Sequence, residues 1–475
     1  MKRLGRITAP FRRTKIVATL GPATDARGVL RETIEAGIDI IRLNASHGGP
    51  TDHAARIAAV RRIEREIGRP IPVIFDLCGP KIRTGVMPPG GRRVRDGERL
   101  VLAPEGEDAR GEIPINYSRL SQDVARGDRI LVDDGMLEWV VERVRAPRVY
   151  CRVRVGGLVR DHKGLNFPGV KLSIGSLTAK DRRDVRFALG AGIDYLAQSF
   201  VRSAADVAQL KALLGKLHAD IPVIAKIEKP EALGDLDGIL DAADGIMVAR
   251  GDLGVELPAE EVPEIQKRLI RRANEAEIPV ITATQMLESM IEHARPTRAE
   301  ASDVANAIFD GTDAVMLSAE TASGSHPVAA VAMMATIALR AEDSEFLTGG
   351  GVSRRDRSVA HAVALAACQT AREVDARAIV CFTETGKTAL LLSKFVRGRR
   401  IFAIARRFEA CRRATLYPGV VGITLPMPRE TDPMIAHAKT RLAKLGYLKK
   451  GDRVVIVCGS SRMRGATNLM KVDTV

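Results

Sequence analysis

The chain has 475 residues, room for two to four domains, and its 45% hydrophobic and 28% charged residues suit a soluble globular protein. The net charge of +15 favours anionic partners such as phosphorylated metabolites. Much of the excess, though, sits in scattered pairs such as Arg61-Arg62, Arg182-Arg183, Arg271-Arg272 and Arg399-Arg400, and no dense cation run is interleaved with stacking aromatics, which argues against sequence-specific nucleic-acid binding.

Aromatics are only 4%, so the cores must rest on Ala, Val, Ile and Leu. Six cysteines, at 78, 151, 368, 381, 411 and 458, form no CxxC pair and have no zinc-ligand spacing, which points to a reducing, cytoplasmic setting. The start, "MKRLGRITAPFRRTK", has no apolar segment of the kind a secretory signal needs. Its charge resembles part of an organellar transit peptide, but it is short for one. Nothing approaches the roughly 20 apolar residues of a membrane span.

In chain order, the first apolar runs are "TKIVATLG" (14–21), "DIIRLNAS" (39–46) and "IPVIFDL" (71–77). Each is nearly continuously apolar, as strands buried on both faces are, and a helical stretch, "TDHAARIAAVRRIEREIG", separates the last two. The third run leads into "DLCGPKIRTG": an acid at a strand end, a turn, then two cations. By itself this reads equally as a metal site, a phosphate cradle or a solvated turn. Residues 86–177 change character. Gly-Asp turns punctuate short alternating strands, the mark of a small β domain inserted in a loop, where it can act as a lid.

Five further runs follow: "IDYLAQSF" (193–200), "IPVIAKIE" (221–228), "ADGIMVAR" (243–250), "IPVITATQ" (278–285) and "DAVMLSAE" (313–320). Eight such strands alternating with helices predict a (β/α)8 barrel rather than an open sheet. The polar residues gather at the strand ends: Arg42, Asn44, Ser46, Asp76, Lys226, Glu228, Arg250, Thr284, Ser318 and Glu320. In a barrel that end carries the active site. Strand-ending turn chemistry accounts for one or two of them but not for the pattern on most strands.

Within "KIEKPE", Lys226 and Glu228 share one strand face, and "VARGDLGVE" adds Asp252 after the next strand. Two carboxylates from adjacent strand ends suit Mg2+, and Lys226 then faces a phosphate; a plain salt bridge is the alternative. If a short helix begins at Gly251, its N–H groups suit a carboxylate or phosphate. Thr282 and Thr284 end their strand with hydroxyls able to bond a reacting group or relay a proton.

After 343 a Gly-rich polar stretch marks a boundary, and strands and helices then alternate again as in a separate open α/β domain. There "TETGKT" (Thr383, Glu384, Thr385, Gly386, Lys387, Thr388) fails the P-loop pattern because Cys381 stands where a Gly is needed. Strand, Thr/Gly-rich turn and helix still make a phosphate cradle. The expected division is 1–85 and 178–345 for the barrel, 86–177 for the lid and 346–475 for the last domain.

Together, "TKIVATLGPA", "IIRLNASHG", "GPKIRTG", "KIEKPEA", "IMVARGDLGVE", "ATQMLESMI", "RPTRAEASDVANAIFDGTDAVMLSAETA" and "TGKTALLLSKF" closely resemble the pyruvate kinase family, in its order and over nearly the whole chain. The resemblance implies a (β/α)8 TIM barrel, an inserted small β-barrel lid and a C-terminal open α/β effector domain, assembled as a homotetramer. It implies the glycolytic transfer of phosphoryl from phosphoenolpyruvate to ADP, giving pyruvate and ATP, with Mg2+ (or Mn2+) held by Glu228 and Asp252. It also implies that Arg42 and Lys226 hold and neutralise the phosphoryl group and that the Arg250–Gly251 backbone, beside Asp252, takes the carboxylate. Thr284 and Ser318 then stand on the side where the enolate is protonated. Asn44, His47, Arg83 and Lys180 fall on the nucleotide side, and 383–388 match a sugar-phosphate or AMP effector loop.

Many members of that family bind K+ at positions matching Asn44, Ser46, Asp76 and the Leu77 carbonyl, with Thr, Lys and Glu where this chain has Leu77, Cys78 and Lys81. Lys at 81 goes with independence from K+ in the family, and an ammonium can supply the charge the ion supplies elsewhere. The closing segment departs from the family's usual form at "SSRMR", where Arg462 and Arg464 face either an effector phosphate or solvent. Two other classes compete on the bare constellation: an Mg2+-dependent lyase acting on a pyruvate enolate, and a non-catalytic metabolite-binding or RNA-associated protein. The lid and the "GPKIRTG" cations disfavour the first, and the full set of reactive residues disfavours the second.

Overall fold

Aliphatic runs buried on both faces can pair only with one another, and in the computed structural model eight of them close into a parallel barrel. Residues 11–106, 111–347, 358–396, 398–428, 430–459 and 467–475 are described. The barrel strands are Lys15–Thr19, Ile40–Asn44, Val73–Asp76, Tyr195–Gln198, Val223–Ile227, Gly245–Ala249, Val280–Ala283 and Ala314–Leu317. Each pairs with its neighbours in sequence, and the first pairs with the last. The expected barrel is therefore the observed one.

The helices between strands are set by local chemistry. Pro50–Ile67 starts on a Pro, with Asp52 accepting the Gly49 N–H at 2.8 Å, and stops at left-handed Gly68. Ala179–Gly190 starts in a capping box in which Thr178 and Asp181 bond each other's backbone N–H.

Between the third and fourth strands the chain leaves the barrel. The excursion forms a six-stranded sheet in the order Leu165–Asn166, Arg129–Val132, Leu137–Arg145, Arg148–Val155, Arg99–Pro104, Ile113–Ile115, and a two-stranded one from Arg92–Val94 and Gly157–Val159. It has its own core, built on Trp139, Phe167, Leu102 and Ile130.

The C-terminal sheet runs Val420–Thr424, Arg400–Ala405, Ala378–Phe382, Arg453–Cys458, Leu469–Thr474. The first four strands are parallel and the last is antiparallel. That last strand was not foreseen: "LMKVDT" alternates in hydropathy and lies on an open edge, with Met470 and Val472 exposed. Arg462 and Arg464 lie outside the described residues.

The C-terminal unit covers the barrel floor, the end opposite the polar strand ends. Inward-facing Val17, Ile40, Ile74, Tyr195, Ile224 and Met247 fall in one continuous apolar cluster with Ala367, Cys368, Leu391, Leu392, Tyr417 and Val420. Polar ties ring this contact. Arg412 grips Glu64 through Nε and Nη2 at 2.9 and 2.8 Å, and the Tyr195 hydroxyl donates to the Arg413 carbonyl at 2.7 Å. Lys15 Nζ donates to the Val420 carbonyl at 2.8 Å, and burial pushes its pKa down to about 8. Lys394 Nζ meets Asp313 Oδ2 at 2.5 Å and Asn274 Oδ1 at 2.8 Å, and the same Asp313 oxygen accepts the Val280 N–H at 2.8 Å. Among the described residues no helix is long and apolar enough to cross a membrane.

Candidate active site

At the barrel mouth, buried charges alternate in sign. Arg42, in the middle of the second strand, donates through Nε to Asp76 Oδ2 at 2.8 Å; its Nη1 donates to Thr19 Oγ1 at 3.0 Å. Asp76 ends the third strand and stands 3.3 Å from the Lys226 ammonium, which lies 2.7 Å from Glu228 Oε1. The Phe200 N–H donates to the other Glu228 oxygen at 2.8 Å. All four side chains are buried.

Burial would raise the Asp76 pKa, but Lys226 and then Arg42 hold it below the usual carboxylate range. Burial would lower that of Lys226, but Asp76 and Glu228 more than offset this, and it is raised. Glu228 is pushed up by its own burial and by the charge of Asp252, against the pull of Lys226. The salt-bridge alternative for Lys226 is thus observed: its ammonium is paired at the mouth.

Asp252 lies in the first turn of a helix, Arg250–Glu256, so the helix anticipated at Gly251 is present. Two carboxylates whose charges oppose each other in a buried mouth offer hard oxygens and an excess negative field, which fits a divalent ion such as Mg2+. No cluster of three or more His, Cys, Asp or Glu is formed among the described residues, so water and substrate oxygens would complete such a site.

The turn after Asp76 is tightly fixed. Gly79 has φ +67°, and a Cβ there would lie 2.7 Å from the Phe200 ring, so both backbone and space call for glycine. Its N–H donates to Asp181 Oδ1 at 3.0 Å, which ties the turn to the capping box of the next helix. Three of the four cation-ligand positions have partners within the protein. Asn44 Oδ1 accepts the Ser46 N–H at 3.1 Å; the Leu77 carbonyl accepts the Ser199 hydroxyl at 2.7 Å; Asp76 is held as above. Lys81, half-buried, runs beside Gly164 of the inserted unit.

Arg83 donates to the His162 carbonyl at 3.0 Å, so it bridges barrel and insert. His47 is exposed; partial burial and the charges of Arg83, Arg42 and Lys81 push its pKa down, so three cations converge on this side. Lys180 is engaged with the Ala45 carbonyl at 2.8 Å and Asp184 at 2.5 Å. Between insert and barrel lies an open cleft lined by Lys81, Ile82, Leu172, Phe200, Lys229 and Asp252, among others.

Across the mouth, Thr284 and Gln285 have φ of +66° and +54°. Such conformations cost on the order of 1–3 kcal/mol each and concentrate at functional sites. The Thr284 hydroxyl donates to the Ala283 carbonyl at 2.6 Å and accepts the Gly251 N–H at 2.8 Å. A Cβ on Gly251 would lie 3.4 Å from that oxygen. The Gly251 N–H expected to be free for an anion is therefore already engaged. The Arg250 guanidinium turns away from the mouth, toward Gln266, Asp303 and the Thr284 carbonyl. The Ser318 Oγ is buried and has no protein partner. Thr282 is not in the site: fully buried, it donates to Thr312 Oγ1 at 2.9 Å.

In the C-terminal unit, Thr383 Oγ1 accepts the Gly386 N–H at 2.8 Å, and the Thr388 and Thr467 hydroxyls pair at 2.7 Å. Glu384, Thr385 and Lys387 are exposed at the start of helix Lys387–Phe395.

The sequence reading missed Ser199, which accepts the Lys226 ammonium at 2.8 Å while donating to Leu77. It also missed Thr19, the Arg42 partner. Both stand at strand ends, the signal that selected the others.

A family model described as pyruvate kinase, barrel domain, matches residues 11–331, and one described as pyruvate kinase, alpha/beta domain, matches 361–473. Pyruvate kinase 2 of Synechocystis sp. is 45% identical over 98% of this chain and 80% of its own. The pyruvate kinase of Geobacillus stearothermophilus is 44% identical over 98% and 80%, and that of Mycobacterium intracellulare 43% over 98% of both. With matches that cover both the barrel and the C-terminal unit, the chain belongs to the pyruvate kinase family.

Proposed function

We propose that this chain transfers the phosphoryl group of phosphoenolpyruvate to ADP, giving pyruvate and ATP. The observation that carries the reading is the buried alternating array Arg42–Asp76–Lys226–Glu228 with Asp252 beside it. Phosphoryl transfer asks for positioning and charge neutralisation more than for covalent help. Arg42 and Lys226 bind and orient the phosphoryl oxygens. A divalent ion held by Glu228 and Asp252 supplies further neutralisation of that group. The turn at 250–252 seats the carboxylate once the Gly251 N–H gives up its bond to Thr284, and water oriented by the Thr284 hydroxyl and the unpartnered Ser318 hydroxyl supplies the proton to the enolate carbon. The nucleotide lies toward His47, Arg83, Asn44 and Lys180, and closure of 86–177 over the barrel excludes water.

Lys81 takes the place of K+ in this reading. Its support is that Asp76 is already paired with two cations, Arg42 and Lys226, and that Lys81 follows it in the same turn. Pyruvate release should then require ADP and a divalent ion, and adding 100 mM K+ to Na+- and K+-free buffer should change the rate by less than about twofold. A rise of tenfold or more on adding K+ would sink the replacement. No pyruvate release across salts and sugar phosphates would sink the reaction itself.

The exposed Glu384, Thr385 and Lys387 support an effector phosphate at 383–388. A sugar phosphate or AMP should lower the phosphoenolpyruvate concentration needed for half-maximal rate in wild type and not in Lys387→Ala. An equal response of both would place the effector elsewhere. We assign the barrel to 1–85 and 178–345, the lid to 86–177 and the effector unit to 346–475. The free cysteines support a cytoplasmic setting, and the open edge at 469–474 supports subunit contact in a homotetramer.

A further inference from the structure

Arg250 follows the sixth strand directly, yet its guanidinium points behind the mouth. Nη2 donates to the Thr284 carbonyl at 2.8 Å and the Gln285 carbonyl at 3.1 Å, and lies 2.8 Å from Met286 Sδ. Nη1 donates to Gln266 Oε1 at 3.2 Å and Asp303 Oδ1 at 2.7 Å. Those two come from separate helices, Val262–Glu275 and Arg298–Phe309. The guanidinium is thus braced from behind and grips the carbonyls of the two consecutive left-handed residues.

We propose that Arg250 is a positioning residue: its guanidinium staples the Thr284–Gln285 turn in its left-handed form and so sets where the Thr284 hydroxyl and the Gly251 N–H stand. This rests on the reading of the mouth as the phosphoenolpyruvate site. The grip is reciprocal, since Arg250 holds the 284 carbonyl while Thr284 Oγ1 holds the next N–H after Arg250. A planar fork reaches acceptors on three segments at once; an ammonium is a point charge and cannot. Without the staple, two non-glycine residues have no reason to remain left-handed.

The test compares Arg250→Lys, Arg250→Met, Gln285→Gly and Arg250→Lys/Gln285→Gly. Both Arg250 variants should lose about 100-fold in kcat, the scale of a displacement near 1 Å, and should agree within about threefold because charge alone does not staple. Gln285→Gly, at an exposed position where glycine accepts positive φ freely, should stay within about threefold of wild type. Added to Arg250→Lys it should restore kcat at least about tenfold. Amide hydrogen exchange in the peptide spanning 281–290 should be about tenfold faster in Arg250→Lys and unchanged in 129–155.

Near-normal kcat in Arg250→Lys, no gain from Gln285→Gly, or unchanged exchange would each overturn the staple. If Arg250→Lys is insoluble, recovery of soluble, active protein in the double variant supports it, and continued insolubility overturns it. Should the wild type release no pyruvate, the reaction reading fails, and hydrogen exchange alone decides the staple.

Discussion

Lys226→Met is expected to lower kcat for phosphoryl transfer on the order of 1,000-fold or more, beyond the 100- to 1,000-fold typical of one lost neutral donor. The ammonium is buried between Asp76 and Glu228 and held charged by them. It is therefore a fixed positive charge over the whole assay range, already desolvated and needing no reorganisation when charge develops on the transferred group. Methionine has a similar reach and fills the same space without the charge. The partners it leaves are not orphaned: Asp76 keeps Arg42, and Glu228 keeps the Phe200 N–H.

The fold should therefore survive, and Mn2+ should bind within about threefold of wild type or more tightly, since the competing cation is gone. Steady-state rates with phosphoenolpyruvate and ADP, paired with a calorimetric Mn2+ titration, separate the outcomes. A near-normal rate would refute the role of Lys226. Loss of both rate and Mn2+ binding would mean that the substitution dismantled the mouth instead.

The largest loss of stability is expected far from the mouth, at Asp313→Asn. Lys394 and Asp313 are buried together at 2.5 Å under the barrel. Burial lowers the Lys394 pKa despite the raising effect of Asp313, so the carboxylate is what keeps a charge tolerable there. Breaking one partner of such a pair costs about 3–5 kcal/mol, while replacing both by apolar residues is often neutral. Asparagine keeps the shape and the acceptor for Val280, so the change isolates the charge.

At roughly 1 °C per kcal/mol for a chain of this size, the unfolding midpoint should fall by about 3–5 °C at fixed scan rate. Asp313→Leu/Lys394→Met should recover most of that. A midpoint for Asp313→Asn within about 1 °C of wild type would remove the pair from any account of how the two units hold together.

The barrel was legible because strands buried on both faces write themselves as unbroken aliphatic runs, and its mouth because polar residues close those runs. Asp76, Lys226 and Glu228 were found that way and are in contact. The direction of a side chain leaves no such trace. Arg42 and Arg250 close similar aliphatic runs in the sequence, yet the Arg42 guanidinium faces Asp76 and that of Arg250 turns behind the mouth. Thr282 lies within its strand, whereas Thr284 stands just past the end of it at φ +66°, so only the second borders the mouth. The edge strand 469–474 was missed because its pattern is half polar, and the pairing of Lys394 with Asp313 because residues 81 apart carry no local signal.

The shared apolar cluster under the barrel has a consequence for how the molecule comes apart. The floor of the barrel and one face of the C-terminal sheet exclude water from each other, so neither can open without wetting its partner. The insert has a separate core. The lines of cooperativity should thus differ from the lines drawn by the sheets: barrel and C-terminal unit are expected to open together, and the insert by itself, as hydrogen exchange would show. Movement of the insert against the barrel would then fall on the two chain crossings that join them, and would leave the shared cluster beneath undisturbed.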